Sequence, residues 1–241
     1  MSSYVYINSK DRTYISSNPS SFEIELNQSD SLDYQNSIIS IQSITFANLN
    51  YPINIYNNVI VFQENGINTD LTATIPQGIY DASTFCTQLS LALGIPGVES
   101  YSCSISSTTG LLSISSTGTL KIKDCSGLKV IGFEAMSVFS NSALGNYPVN
   151  LAGSNYVDIV IHNFYTRSTK TGTNIGEVFC RIPLNKPFGN VITWQNTTDD
   201  NQQVSMSVNN LRFELFDEWE RPFILPNNAN ISIQMKISFP L

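Results

Sequence analysis

Charge is scarce in this sequence. Asp, Glu, Lys and Arg make up 13% of its 241 residues, about half the usual share of roughly 25%. The balance is acidic, with 12 Lys and Arg against 19 Asp and Glu, a net charge of −7. No short window gathers more than two basic residues. Phosphate contacts need concentrated positive charge, so direct nucleic-acid binding is not expected. No apolar run approaches the length that spans a bilayer. The chain opens Met-Ser-Ser-Tyr-Val-Tyr, with no basic segment leading into an apolar stretch. That reads as no secretory signal and as synthesis in the cytosol.

Groups that carry chemistry are equally sparse. The single histidine, His162, closes the apolar run Val157-Asp158-Ile159-Val160-Ile161 and has no nucleophile paired with it by motif; a structural role is the plain reading. No G-x-S-x-G elbow is present. The cysteines Cys86, Cys103, Cys125 and Cys180 form no C-x-x-C pair, so neither a zinc site nor a redox motif is indicated, and free, mostly buried thiols are expected. Lys170-Thr171-Gly172-Thr173-Asn174-Ile175-Gly176 is not a phosphate loop, because the lysine precedes the glycines. Asn27, Asn196 and Asn230 open N-x-S/T triplets, which without a secretory route are read as chance. No catalytic residue, cofactor or metal is therefore expected.

Three acidic or aromatic features have a second reading. Asp199-Asp200 sits in a polar run and reads as a solvated loop; the alternative is weak cation binding. Glu218 and Glu220 flank Trp219 and read as an exposed turn. A glycosidase would need two carboxylates facing across a cleft at a set distance. Trp194, Trp219 and the eleven tyrosines read as core and corner packing, with a sugar-stacking platform as the alternative.

What the sequence has in quantity is neutral polarity and alternation. Ser and Asn supply 58 residues and hydrophobic residues 41%. Hydroxyls and amides are cheaper to desolvate than Lys or Glu, which suits surfaces that become interfaces; biased genome composition is the plain alternative. From Ile231 to Phe239, Ile, Ile, Met, Ile and Phe alternate with Ser, Gln, Lys and Ser, a half-buried strand. Phe22-Ile24-Leu26 and Leu211-Phe213-Leu215 repeat the pattern. Ile39 and Ile41 are odd while Ile44 and Phe46 are even, so the phase slips near Gln42-Ser43, as at a β-bulge. Asn65-Gly66 marks a hairpin between residues 59–63 and 71–75, and Thr108-Thr109-Gly110 marks another. Residues 156–161, 177–183 and 191–195 read as further strands. Phe85, Leu89 and Leu93 recur at helical spacing behind the N-cap candidates of Tyr80-Asp81-Ala82-Ser83 and before Gly94 and Pro96, predicting one helix over 83–93. Ser2 to Asn8 reads as an extended N-terminal arm. Strands at turn-separated intervals with one main short helix predict an all-β, two-sheet antiparallel sandwich.

The order of these segments carries a resemblance. Asn8-Ser9-Lys10-Asp11-Arg12 precedes Phe22-x-Ile24-x-Leu26, and a bulged strand leads into Tyr51-Pro52-Ile53-Asn54-Ile55-Tyr56-Asn57. Then follow Ile75-Pro76-Gln77-Gly78-Ile79-Tyr80, the Phe85/Leu89/Leu93 helix, Gly110-Leu111-Leu112-Ser113-Ile114 and Val130-Ile131-Gly132-Phe133. Ile182-Pro183-Leu184 and the strands around Phe216-Asp217 come last. Across nearly its whole length the chain resembles the penton (vertex) and minor capsid proteins of the double-jelly-roll DNA virus lineage, which includes virophages, polinton-like viruses and large eukaryotic DNA viruses.

The resemblance implies a single jelly roll over residues 1–241, with residues 1–11 as a candidate assembly arm; the chain departs from some relatives in having no large insertion for a projecting domain. It implies homopentamers at icosahedral vertices beside a double-jelly-roll major capsid protein, in a virion assembled in the host cytoplasm. Aromatic, polar segments at 1–11 and 50–58 make Tyr4, Tyr6, Tyr51 and Tyr56 the candidate interface residues; their plain reading is cover for the sandwich ends. The alternative function is a glycan- or receptor-binding sandwich of the fibre-head kind.

Overall fold

The structure, a computed structural model, describes residues 2–12, 19–25, 37–162, 178–197, 202–204 and 210–238. In chain order the strands β1 (Ser2–Asn8), β2 (Ser21–Glu25) and β3 (Ser37–Ala47) come first. Next are β4 (Val59–Glu64), β5 (Leu71–Thr74), helix α1 (Ala82–Gly94), β6 (Tyr101–Ile105), β7 (Leu111–Ile122), the short helix α2 (Leu128–Ile131) and β8 (Ser140–Pro148). Then follow β9 (Tyr156–His162), β10 (Cys180–Pro183), β11 (Val191–Gln195), β12 (Gln202–Val204), β13 (Asn210–Phe216) and β14 (Ile231–Ser238). They divide into two compact units, Met1–Asn50 with Ser154–Leu241, and Tyr51–Gly153.

The first unit is a sandwich. One sheet has the order β1-β14-β3-β11, with β12 also on β3; the other is β10-β9-β13-β2, and every pairing is antiparallel. The first strand thus lies beside the last, the second beside the second-to-last, and the chain crosses repeatedly between the sheets as two interlocked Greek keys. That is a jelly roll. Period-two alternation turns Ile233, Met235 and Ile237 of β14, Ile39, Ile41, Ile44 and Phe46 of β3, and Leu211, Phe213 and Leu215 of β13 into one buried cluster shared by both sheets. The expected phase slip is present: Gln234 pairs Ser43 and Met235 pairs Ile41, which leaves Gln42 as the extra residue. The bulge lets both halves of β3 present isoleucines to the same core. It also falls where the neighbouring edge is interrupted, since β11 pairs residues 43–47 and β12 pairs residues 37–39.

Two expectations are corrected here. Residues 2–8 are not an arm. They form β1, paired with β14 over seven residues, with Ile7 in the core and the buried Ser9 hydroxyl accepting from the Ile231 amide at 2.8 Å. The run Tyr4-Val5-Tyr6-Ile7 alternates sides as a strand must, with Val5 and Ile7 inward and Tyr4 and Tyr6 outward. Nor is the jelly roll continuous through 1–241. Between β3 and β9, residues 51–153 build a separate unit whose buried cluster draws only on its own side chains.

That second unit is a sheet of order β5-β4-β7-β6, with β8 also on β7, and the helix α1. The Asn65-Gly66 turn forms as expected, both residues at positive φ (51° and 72°) and the Ile67 amide returning to the Glu64 carbonyl. Helix α1 starts at a capping box: the Asp81 carboxylate accepts from the Thr84 amide, and the Thr84 hydroxyl accepts from the Asp81 amide. Phe85, Cys86, Leu89 and Leu93 are the buried stripe the spacing predicted. The segment Lys170–Gly176, the pair Asp199-Asp200, Asn27 and Phe239 lie outside the described residues.

Candidate functional site

The outer face of the β1-β14-β3-β11 sheet is largely neutral. Tyr4 and Tyr6 stand on it 52% and 75% exposed. Around them are Asn8, Ser43, Thr45, Thr193, Gln195, Ser232 and Gln234, with Lys236 the charged member of β14. These side chains bond laterally across the strands. Gln234 Nε2 donates to the Tyr6 hydroxyl at 3.1 Å, the Ser43 hydroxyl donates to Gln234 Oε1 at 3.3 Å, and Asn8 Nδ2 donates to the Ser232 hydroxyl at 3.2 Å. Tyr6, Asn8, Ser43, Thr45, Ser232 and Gln234, with Lys10 and Asp11 at one end, line an open depression of about 360 Å³.

The outer face of the other sheet is ionic. Asp158, with no exposed surface, takes a bidentate pair from Arg181 at 2.7 and 2.9 Å, and the guanidinium lies 3.7 Å from the centre of the Tyr156 ring. His162 Nε2 is 2.9 Å from Glu214 Oε2, and Arg212 bonds the other oxygen of Glu214 at 2.5 Å. Burial pushes the Glu214 carboxyl up, but the hydrogen bonds from His162 and Arg212 outweigh it and leave it below its ordinary value. Glu23 accepts from Asn210 at 2.9 Å. His162 thus stands beside the Glu214 carboxylate on a sheet face.

The segment Asp217–Arg221 is a built turn and not a carboxylate cleft. Buried Asp217 accepts from the Trp219 and Arg221 amides through Oδ1 and from the Arg221 guanidinium through Oδ2, all at 2.8–2.9 Å. Trp219, 40% exposed, has the Arg221 guanidinium 4.6 Å from its ring centre. Glu218 accepts from the backbone and side-chain nitrogens of Asn155, while Glu220 sits at φ 63° within the turn. In the second unit buried Glu64 holds the amides of Val98 and Glu99 and the Tyr101 hydroxyl; it ties a loop to β4. Among the described residues no three His, Cys, Asp or Glu side chains gather as metal ligands.

Tyr51 and Tyr56 belong to the second unit, Tyr51 exposed and Tyr56 half-buried. Their loop is organised by its asparagines. Asn57 Oδ1 accepts from the Asn54 amide at 2.8 Å and Asn57 Nδ2 donates to the Pro52 carbonyl at 2.9 Å. Asn54 Oδ1 accepts from the Tyr56 amide, and Asn58 Nδ2 donates to the Ile75 carbonyl. The polarity that the sequence offered as interface is largely used in closing this turn. Only Tyr4 and Tyr6 share a strand and a face. The sequence reading missed the Ser43, Thr45, Thr193 and Gln195 side of the surface, although the polar positions of the alternating strands already marked it.

All four cysteines are free thiols. Burial raises Cys86, raises Cys103 to about 11 and pushes Cys180 well above the usual thiol range, the Asp158 carboxylate adding to the last. Raised thiols are poor nucleophiles near neutrality, and that applies to Cys86, Cys103 and Cys180.

No protein-family model matches the sequence, and no curated protein matches it. Among solved structures, the crystal structure of the selenomethionine-labelled mavirus penton protein is similar over 98% of this chain and 99% of that one, with a TM-score of 0.47 and 11% identity.

Proposed function

We propose that this chain is a structural capsid protein, a penton that assembles as homopentamers at icosahedral vertices. The observation that carries the reading is the strand order of the first unit, an eight-position jelly roll with first and last strands paired at one sheet edge. Jelly rolls serve viral capsids and lectins alike, and a fold hosts many functions, so a second line of support is needed. The order of sequence segments resembling vertex proteins supplies one. The largely neutral Ser/Thr/Gln/Tyr face supplies another, because five copies of a chain with net charge −7 meet at least cost through surfaces that bury little charge. The partners in this reading are further copies of the chain and a double-jelly-roll major capsid protein at the virion vertex. Nucleic acid is not contacted directly and no reaction is catalysed.

The depression beside Tyr6 favours a second reading, a glycan-binding sandwich, since an exposed ring flanked by amides and hydroxyls suits a neutral sugar. Light scattering separates the two. A mass of five times the 26.7 kDa chain supports the penton. A monomer whose Tyr6 and Gln234 resonances shift on glycan titration supports the second reading.

A further inference from the structure

The four edges of the jelly-roll sheets are not alike. Exposed edges carry a row of unpaired backbone groups, and proteins protect them with charged side chains, proline, bulges or brevity. In the β10-β9-β13-β2 sheet both edges are protected: β2 carries Glu23 and Glu25, and β10 carries Arg181 and ends in Pro183. In the β1-β14-β3-β11 sheet neither edge is. β1 reads Ser-Ser-Tyr-Val-Tyr-Ile-Asn and β11 reads Val-Ile-Thr-Trp-Gln, aromatic and β-branched, with no charge and no proline. β12, Gln-Gln-Val, continues the β11 edge in the same character. Among the described residues β1 pairs only with β14, and β11 only with β3.

We infer that copies of this chain join through these two edges, β1 of one copy adding to the β11 and β12 edge of the next. The inference rests on the penton reading and names its interface. Charge selects the occupant. In a chain with net charge −7, the described jelly-roll edges that a second copy offers without any charged side chain are β1 and β11–β12, whereas a β2 edge would bring Glu23 and Glu25 against another acidic surface.

Topology selects the orientation. Each step from β1 through β14 and β3 to β11 is antiparallel, so extending the sheet sets β1 antiparallel to the next copy's β11. The contact joins two different edges, so it is heterologous, and such contacts close into rings when the rotation allows. The level of each residue is fixed by the ladder. Tyr6, Gln234, Ser43 and Gln195 lie in one row, and Asn8, Ser232, Thr45 and Thr193 in the next. An unshifted junction places Tyr6 beside the next copy's Gln195. A junction slipped by two residues places it beside Thr193. A slip of one would turn the side chains to opposite faces.

Cysteine trapping tests this on the full chain. Tyr6→Cys is combined with Gln195→Cys, and separately with Thr193→Cys; all three positions are exposed, and folding is checked by circular dichroism. The expected result is a non-reducing ladder of covalent species up to the pentamer from one double variant, with no ladder from any single variant. In parallel, hydrogen exchange of the unmodified protein should show peptides covering 2–8 and 191–195 gaining protection on assembly while the peptide covering 21–25 does not. A pentameric mass with no ladder and no protection at either edge overturns the edge inference and leaves the penton reading standing. Covalent dimers from Tyr6→Cys alone show β1 pairing with itself and overturn the head-to-tail arrangement. A monomeric mass at all concentrations removes the penton reading and the inference with it.

Discussion

Asp217 shows how one residue can organise a turn. Its carboxylate accepts from two amides and a guanidinium, which gives the acidic and aromatic run from 217 to 221 a structural use in closing the turn. Replacing Asp217 with Ala removes the carboxylate beside the half-buried Arg221 guanidinium and the acceptor of two turn amides. A loss of about 2–4 kcal/mol is expected, measured by urea unfolding; a change within error would mean the turn is held by something else. Glu214 gives a prediction in pH. Its folded value lies below its ordinary 4.5, so its contribution to stability is fully present above that value and is lost as pH falls through the folded value. Glu214→Gln should therefore be less stable than the parent near neutrality, and the gap between their unfolding midpoints should close on acidification. A gap that stays constant through the acid limb would show that His162 and Arg212 do not act through the carboxylate's charge.

At the scale of elements, glycines that share a positive φ separate conformational from steric demands. At Gly66 (φ 72°) a Cβ would stand in open space. At Gly132 (φ 72°) it would run into the Tyr147 carbonyl, and the Gly132 carbonyl itself accepts from the Asn146 and Tyr147 amides. Gly66→Ala should cost about 1–2 kcal/mol, the strain of the left-handed conformation alone. Gly132→Ala should cost clearly more, because backbone must move as well. Equal losses in chemical denaturation would refute the steric account.

The same scale shows what could be read in advance. The core strands β3, β13 and β14, the bulge at Gln42 and helix α1 were legible because burial there is one-sided and imposes a period on the sequence. β8 was not legible: of Ser140–Pro148 only Ala143 and Gly145 are buried, so no apolar alternation marks it. Tyr4 and Tyr6 were recognisable as outward residues from alternation alone. The structural use of Asn54, Asn57 and Asn58 was hidden, because an amide that closes a turn and an amide that meets solvent look the same in sequence. The boundary of the second unit was hidden for a related reason. The chain leaves the jelly roll near Asn50 and returns near Ser154 through ordinary loop residues, with no shift in composition.

For the whole molecule, neutrality and division into units lead to separate expectations. If copies meet through edges that carry no charge, assembly should depend little on salt, since screening acts on charges. Oligomer mass should stay constant between low and high sodium chloride, and a mass that rises steeply with salt would instead point to acidic surfaces held apart by repulsion. The two buried clusters share no residue. One draws on β1–β3, β9–β11, β13 and β14, and the other on residues between Ile53 and Ala143. A segment of about 100 residues with its own core is large enough to fold alone. Residues 51–153 produced alone should therefore give a dispersed amide spectrum and a cooperative urea transition, with Phe85, Leu89 and Leu93 of α1 still packed against their own sheet. The decisive control is Phe85→Ala, whose loss of a fully buried ring should cost about 3–5 kcal/mol in the isolated segment. A collapsed spectrum from residues 51–153 would mean that this core is completed by residues outside it, and that the chain folds as one cooperative body after all.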